Sequence, residues 1–273
     1  MTKNILSSVS DRLVLTVSGP DAGKYLHSQL SQDIASLSVG DSRYSFVLDP
    51  LGKVIALVRV SRRDQEIYCL DTEIVDGLAE ELIARLNRFK IRVKADITSS
   101  IEQFLLLRSQ DGLPIAHLPG SLLAQWGDGS AVDVPLMGGV SDADNDDSET
   151  VELTDIEAVR VRVGWPVMGS EIVSGETLPA ATGVVKIAVS FTKGCYPGQE
   201  LVERMDSRGS TAPKTLRLFQ GSHAVGAVVG KAVLVNGAEV GVFTSVTAGF
   251  AMGYVARAVD IGVVVGPTSD SVE

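Results

Sequence analysis

Eight consecutive residues, Lys193-Gly194-Cys195-Tyr196-Pro197-Gly198-Gln199-Glu200, gather the residue types in this chain that are most able to do chemistry. A thiol acts as nucleophile or metal ligand only as the thiolate, and thiolates form where positive charge is near. Two glycines and a proline set an irregular path through the stretch, after which Glu200–Met205 reads as helix. Cys195 is therefore expected just ahead of a helix start, where free N–H groups and the positive end of the dipole favour an anion. Lys193 can hold an anionic group or pair with Glu200. Gln199 has both a donor and an acceptor, which suits an amide-like ligand edge. Glu200 and Arg204 are four apart on the expected helix and can form an ion pair worth about 0.3–0.5 kcal/mol.

The same sequence excludes several chemistries. The chain has two cysteines, Cys69 and Cys195, whereas an iron–sulfur cluster held by one chain usually takes four. No CxxC or HExxH spacing exists among Cys69, Cys195, His27, His117 and His223, so no metal site is expected. A lone thiol can still attack a one-carbon adduct, form a mixed disulfide, or give one ligand to a cluster shared with a partner. A formal charge of −10 and a pI near 4.8 argue against a broad nucleic-acid footprint. No run approaches the roughly 18 apolar residues that span a bilayer, and the first ten residues lack a signal-peptide core, so a cytoplasmic chain is expected.

The elements that must position these residues follow from periodicity and turn signals. Residues 11–18 alternate as a strand, and Gly19-Pro20-Asp21 opens a helix with Tyr25, Leu26, Leu30 and Ile34 on its apolar side. Strands at 43–49 and 53–61 are joined by Asp49-Pro50-Leu51-Gly52, a type I turn in which Asp49 satisfies nearby N–H groups. A strand at 66–70 precedes a helix over 71–89, capped by Asp71 or Thr72. Strands are expected at 91–97, 101–108 and 184–191, and a helix over 154–163 with Thr154 as cap and a stop at Gly164. The acidic tract 141–149 reads as a solvated loop. Beyond Pro213, short strands with Gly-containing turns predict a small antiparallel barrel. Trp165 and Tyr196 can wall a flat ligand, Asp49 can contact it, and Cys69 reads as strand core. The whole is an α+β chain, with a larger region over 1–208 and a C-terminal β-barrel over 209–273.

This order of features resembles the superfamily of the folate-binding YgfZ proteins and the glycine-cleavage T-protein. The resemblance is carried by Val17-Ser18-Gly19-Pro20-Asp21-Ala22 with Leu26 and Gln29, by Gln32-Asp33, Leu48-Asp49-Pro50 and Gly52-Lys53, and most specifically by Lys193-Gly194-Cys195-Tyr196 with Gly198-Gln199-Glu200 and Arg204. Gly241 and Thr244-Ser245 match an element of the C-terminal barrel. The resemblance implies two interleaved ferredoxin-like subdomains around a central tetrahydrofolate cavity, with Lys193, Tyr196, Gln199, Glu200, Arg204, Asp49 and Trp165 binding the cofactor and Cys195 as the reactive residue. It implies a protein that supports assembly or repair of iron–sulfur enzymes, including those that modify tRNA, beside a cluster carrier or client protein; a monomer is expected. The T-protein branch carries acids where this chain has Ala56 and Leu57, and another within Arg160-Val161-Arg162-Val163-Gly164. Aminomethyl transfer or demethylation with tetrahydrofolate is thus the disfavoured alternative. A non-catalytic interaction module for a cluster carrier is the other.

Overall fold

The computed structural model describes residues 4–116, 118–136, 148–207 and 212–266. β1 (Ile5–Ser18) is a long strand of the main sheet. Its side chains alternate, so Leu13, Leu15 and Val17 enter one core cluster and Val14 another on the opposite face. α1 (Ala22–Gln29) follows, then the hairpin of β2 (Ser42–Leu48) and β3 (Val54–Asp64). The hairpin turn forms as its residues require: Gly52 N donates to Asp49 O at 3.0 Å, Lys53 N donates to the Asp49 carboxylate at 2.9 Å, and Gly52 sits at φ 87°. β4 (Ile67–Thr72) completes this part of the sheet.

The next helix, α2 (Leu78–Arg88), starts later than its periodicity predicts. Asp71 and Thr72 do not cap it but end β4, because the Asp71 carboxylate is taken by Arg12 and Arg59 and the Thr72 hydroxyl donates to Leu57 O at 2.8 Å. Gly77, at φ 77°, then breaks the helical path just before Leu78. The two strands expected at 91–97 and 101–108 are one, β5 (Asp96–Ser109), paired with β1 along its whole length from Ser18↔Asp96 to Ile5↔Ser109. β6 (Leu122–Leu123) and β7 (Ala131–Pro135) come next, then β8 (Ser148–Thr150). Most of the acidic tract 141–149 lies outside the described residues; Ser148 and Glu149 join β8, parallel to β1.

α3 (Leu153–Val163) ends at Gly164 in the left-handed region, as predicted, but its N-cap is Glu152, and Thr154 lies inside the helix. The strand expected over 184–191 is instead α4 (Val185–Ala188). The segment folds back on Ser31, whose hydroxyl donates to Ala188 O at 2.6 Å and whose carbonyl accepts from Ser190 N at 3.0 Å, so its apolar side chains are buried without a strand partner. α5 (Gln199–Ser207) follows the cysteine stretch. The boundary expected at 208/209 lies outside the described residues.

Among the described residues the main sheet runs β2-β3-β4-β1-β5-β7-β6 with β8 added at β1, and it curls until β2 and β6 touch. β9 (Lys214–Gln220), β10 (Ala232–Val235), β11 (Ala238–Thr247), β12 (Phe250–Ala256) and β13 (Val263–Val264) form a second antiparallel sheet in the order β10-β11-β12-β9-β13. The architecture is the α+β arrangement with a C-terminal β unit that the sequence predicts. α1 and α2 cover one face of the main sheet, and α3 packs on the other.

Candidate functional site

The cysteine stretch forms a tightly held corner. The Lys193 ammonium donates to His27 O and, at 2.6 Å, to Leu30 O, so it satisfies two carbonyls at the end of α1, where a cation is favoured. It also lies 5.1 Å over the Tyr196 ring. Burial pulls its pKa down to about 8, against the opposing pull of Asp33 and Cys195. Tyr196 is buried in the main core, its hydroxyl without a partner among the described residues. Gln199 accepts from Tyr196 N at 3.3 Å and donates to Glu203.

Gly198 closes the corner against the β2–β3 turn. It takes φ 84°, and a Cβ there would stand 2.6 Å from Asp49 O. A Cβ on Gly52 would meet Leu201 at the same 2.6 Å. The turn and the stretch are thus pressed together, and Asp49 serves the turn through its bond to Lys53 N. Cys195 itself is exposed, as are Glu200 and Arg204. No ion pair joins Glu200 to Arg204 among the described residues. Lys193, Asp33 and His27 flank the thiol corner. His27 Nδ1 accepts from Ile34 N and Ala35 N, each at 3.3 Å; burial and then Lys193 lower its pKa, with Asp33 opposing.

A second locus lies on the other face of the curled sheet, beneath α3. Sheet register builds it: Tyr44 pairs with Arg59, Arg59 with Asp71, and Asp71 with Val14, which sets these side chains in one cross-strand row. Arg59, almost wholly enclosed, bridges Asp71 at 2.9 Å and Asp133 at 2.8 Å; Arg12 also binds Asp71 at 2.7 Å, and Arg108 binds Asp133 at 2.7 Å. Burial by itself would raise the Asp133 pKa, but Arg108, Arg59 and Arg12 together hold it near 2. Arg160, from α3, reaches Glu157, Glu171 at 2.9 Å and Ser245 of β11 at 2.7 Å. Ser245 in turn donates to Glu171 at 2.6 Å, so the second sheet is tied to this network.

Of these groups, Arg12, Arg108, Asp133, Glu157 and Arg160 line a cavity of about 260 Å³. Trp165 lines it, packed 4.7 Å from Tyr44 and edge-on to Trp126 at 5.2 Å. Burial raises the Tyr44 phenol to about 12, which keeps its O–H available as a donor. Gln125, which no feature of the sequence marked, also lines the cavity, and its N–H donates to Tyr44 Oη at 3.2 Å. Of the residues named from the sequence, Trp165 lines this cavity; Lys193, Cys195, Tyr196, Gln199, Glu200, Arg204 and Asp49 do not. The volume is just below the roughly 300–1,000 Å³ of most small-molecule sites.

No family model matches the chain. Curated relatives named tRNA-modifying protein YgfZ do match it. The protein from Klebsiella pneumoniae is 26% identical over 227 residues, covering 75% of this chain and 68% of its own length. That from Enterobacter is 27% identical over 234 residues with the same coverage, and that from Escherichia coli O157:H7 is 25% identical over 239, covering 80% and 72%. Among solved structures, the glycine cleavage system aminomethyltransferase T from Bartonella henselae superposes with a TM-score of 0.71 over 93% of this chain and 80% of its own, at 21% identity. The chain is thus similar over three quarters of its length to curated YgfZ proteins, and it shares the fold of a glycine-cleavage aminomethyltransferase.

Against that likeness, the carboxylate positions are telling. Ala56 and Leu57 are buried, and Leu57 N donates to Met168 Sδ at 3.3 Å, so this stretch is core and not a site wall. Arg162 reaches Gln110 O on the surface side of α3. The carboxylates that do line the cavity are all engaged: Asp133 by two arginines, Glu73 by Arg12 and Met168 N, and Glu157 by Arg160. For Asp133, the arginines stabilise the charged form, which makes it a poor proton acceptor.

Proposed function

We propose that this chain is a folate-binding accessory protein of the YgfZ type, which supports the assembly or repair of iron–sulfur enzymes, tRNA-modifying enzymes among them, through Cys195. One observation carries the reading: the thiol is exposed beside a Lys193 that is tied to α1, while every carboxylate lining the cavity is already paired. The cavity then binds, and the reactive atom works on a partner at the surface. Trp165 and Tyr44 fit the flat head of a reduced folate, the Tyr44 O–H and the Gln125 carboxamide supply polar contacts, and the bound folate would bring one-carbon chemistry. Cys195 can supply one ligand to a cluster, which is cargo shared with a carrier or client protein, or form a mixed disulfide with it.

The test is replacement of Cys195 by Ala in cells under oxidative stress. Activity of a [4Fe–4S] enzyme and the level of thiolated tRNA are expected to fall, with the melting temperature of the purified protein unchanged, because the thiol is exposed. Equal enzyme activity in wild-type and variant cells sinks the role of the thiol. Calorimetry with tetrahydrofolate tests the cavity separately, and absence of heat at high ligand concentration sinks the folate part.

A further inference from the structure

We propose that Gln125 selects the ligand of the cavity, by pairing its carboxamide with a lactam edge, an N–H donor beside a C=O acceptor, on a flat neutral heterocycle lying against Trp165 and Tyr44. The inference rests on the folate reading above and adds to it the residue that recognises the head group.

Three observations lead there. Gln125 is only 5% exposed, yet its carboxamide takes no hydrogen bond from any described residue; only its backbone N–H is used, by Tyr44 Oη. Gln125 lines the cavity and its carboxamide atoms are not sealed from it, so two donors and two acceptor lone pairs stand available to a ligand. Gln125 also sits at φ 50°, a left-handed conformation that side chains other than Gly, Asn and Asp seldom adopt. Such local strain persists where the surrounding structure holds a side chain in place, and it clusters at binding sites. Gly or Asn would suit the turn between β6 and β7 better, so the turn alone gives no reason for glutamine.

The charge around the cavity fixes the class of ligand. Arg12, Arg108 and Arg160 line it with Glu73, Asp133 and Glu157, and Arg59, Asp71 and Glu171 stand behind them; each of these side chains is engaged in at least one pair or hydrogen bond. Arg108 Nε has no partner among the described residues, but its guanidinium is already paired with Asp133, so the wall holds no cation without a counter-charge for a phosphate or carboxylate head. A carboxamide beside it matches a neutral edge in which a donor and an acceptor stand side by side, as in an amide pair.

The test uses calorimetry with tetrahydrofolate, pterin and N3-methylpterin, the last with its lactam N–H blocked, on the full-length protein and on Gln125→Gly. Glycine removes the carboxamide and relaxes the φ of 50°, so the melting temperature should hold or rise while pterin binding weakens at least tenfold. Wild-type protein should bind pterin at least tenfold more tightly than N3-methylpterin, and the variant should lose that preference. A variant that binds pterin as tightly as wild type, or a wild type indifferent to the methyl group, overturns the inference and leaves the folate reading standing. A wild type that binds none of the three compounds overturns both. Gln125→Asn, which keeps a shorter carboxamide and tolerates the same backbone, should recover part of the lactam preference; no recovery, with stability intact, counts against the pairing.

Discussion

Lys193→Met removes the ammonium that holds the cysteine corner to α1 while keeping a stem of similar length. At neutral pH two effects oppose. The two donors to His27 O and Leu30 O are lost, and those carbonyls go unmet. Against that, burial has pushed the Lys193 pKa from 10.5 to about 8, so the protonated amine is itself held at a cost. These are comparable, and the variant is expected to lie within about 1 kcal/mol of wild type at pH 7. The pH dependence separates them. Because the folded pKa is below the unfolded one, the folded protein binds fewer protons between pH 8 and 10.5, and wild-type stability gains from Lys193 as pH rises through that window. From pH 7 to 9.5 linkage gives about 2 kcal/mol for this shift, or about 1–2 kcal/mol once partial solvent screening is allowed for. Urea unfolding of both proteins at the two pH values reads this directly: the wild-type advantage should grow by that amount. His27, whose pKa is lowered, titrates below this range and does not intrude. A wild-type-minus-variant difference that is the same at both pH values would refute the buried, carbonyl-bound ammonium.

Gly198→Ala forces a Cβ against Asp49 O at 2.6 Å with φ at 84°, and should cost about 1–3 kcal/mol in thermal or urea unfolding. Gly194→Ala, four positions earlier with nothing within 4 Å of its Cβ, should stay within about 0.5 kcal/mol; similar losses for both would show that the corner is not pressed on the hairpin turn. Ser245→Ala leaves Arg160 and Glu171 each short of a buried partner, for an expected loss of about 2–3 kcal/mol by urea unfolding. A loss below about 0.5 kcal/mol would mean that the second sheet is not tied to the cavity network through this hydroxyl.

By itself the sequence determined whatever depends on neighbours a few residues away. The Asp49–Gly52 turn, the stop of α3 at Gly164, the helix after Gln199 and the short strands beyond Pro213 all follow from φ preferences, local side-chain bonds and period-2 or 3.6 patterning, and they appear where those rules put them. The same local rules placed Cys195 ahead of a helix, and its exposure leaves it available to a partner. Tertiary structure decided the rest, because the competing interactions came from far along the chain. Asp71 and Thr72 read as a helix cap until Arg59 and Leu57, more than ten positions back, claim them for β4. The run 184–191 has the apolar content of a strand, but Ser31, more than 150 positions away, folds it into α4 and a turn. Lys193 offers itself to a ligand or to Glu200 in sequence and is spent on carbonyls of α1 in space. Gln125 is one glutamine in an illegible stretch, and only the curling of the sheet, which brings β6 and β7 round to Tyr44, turns it toward a cavity. Contacts between residues 59 to 85 positions apart, such as Arg12–Asp71, Arg59–Asp133, Gln125–Tyr44 and Arg160–Ser245, leave no periodic trace, so a cavity assembled from them can be seen only once the chain is folded.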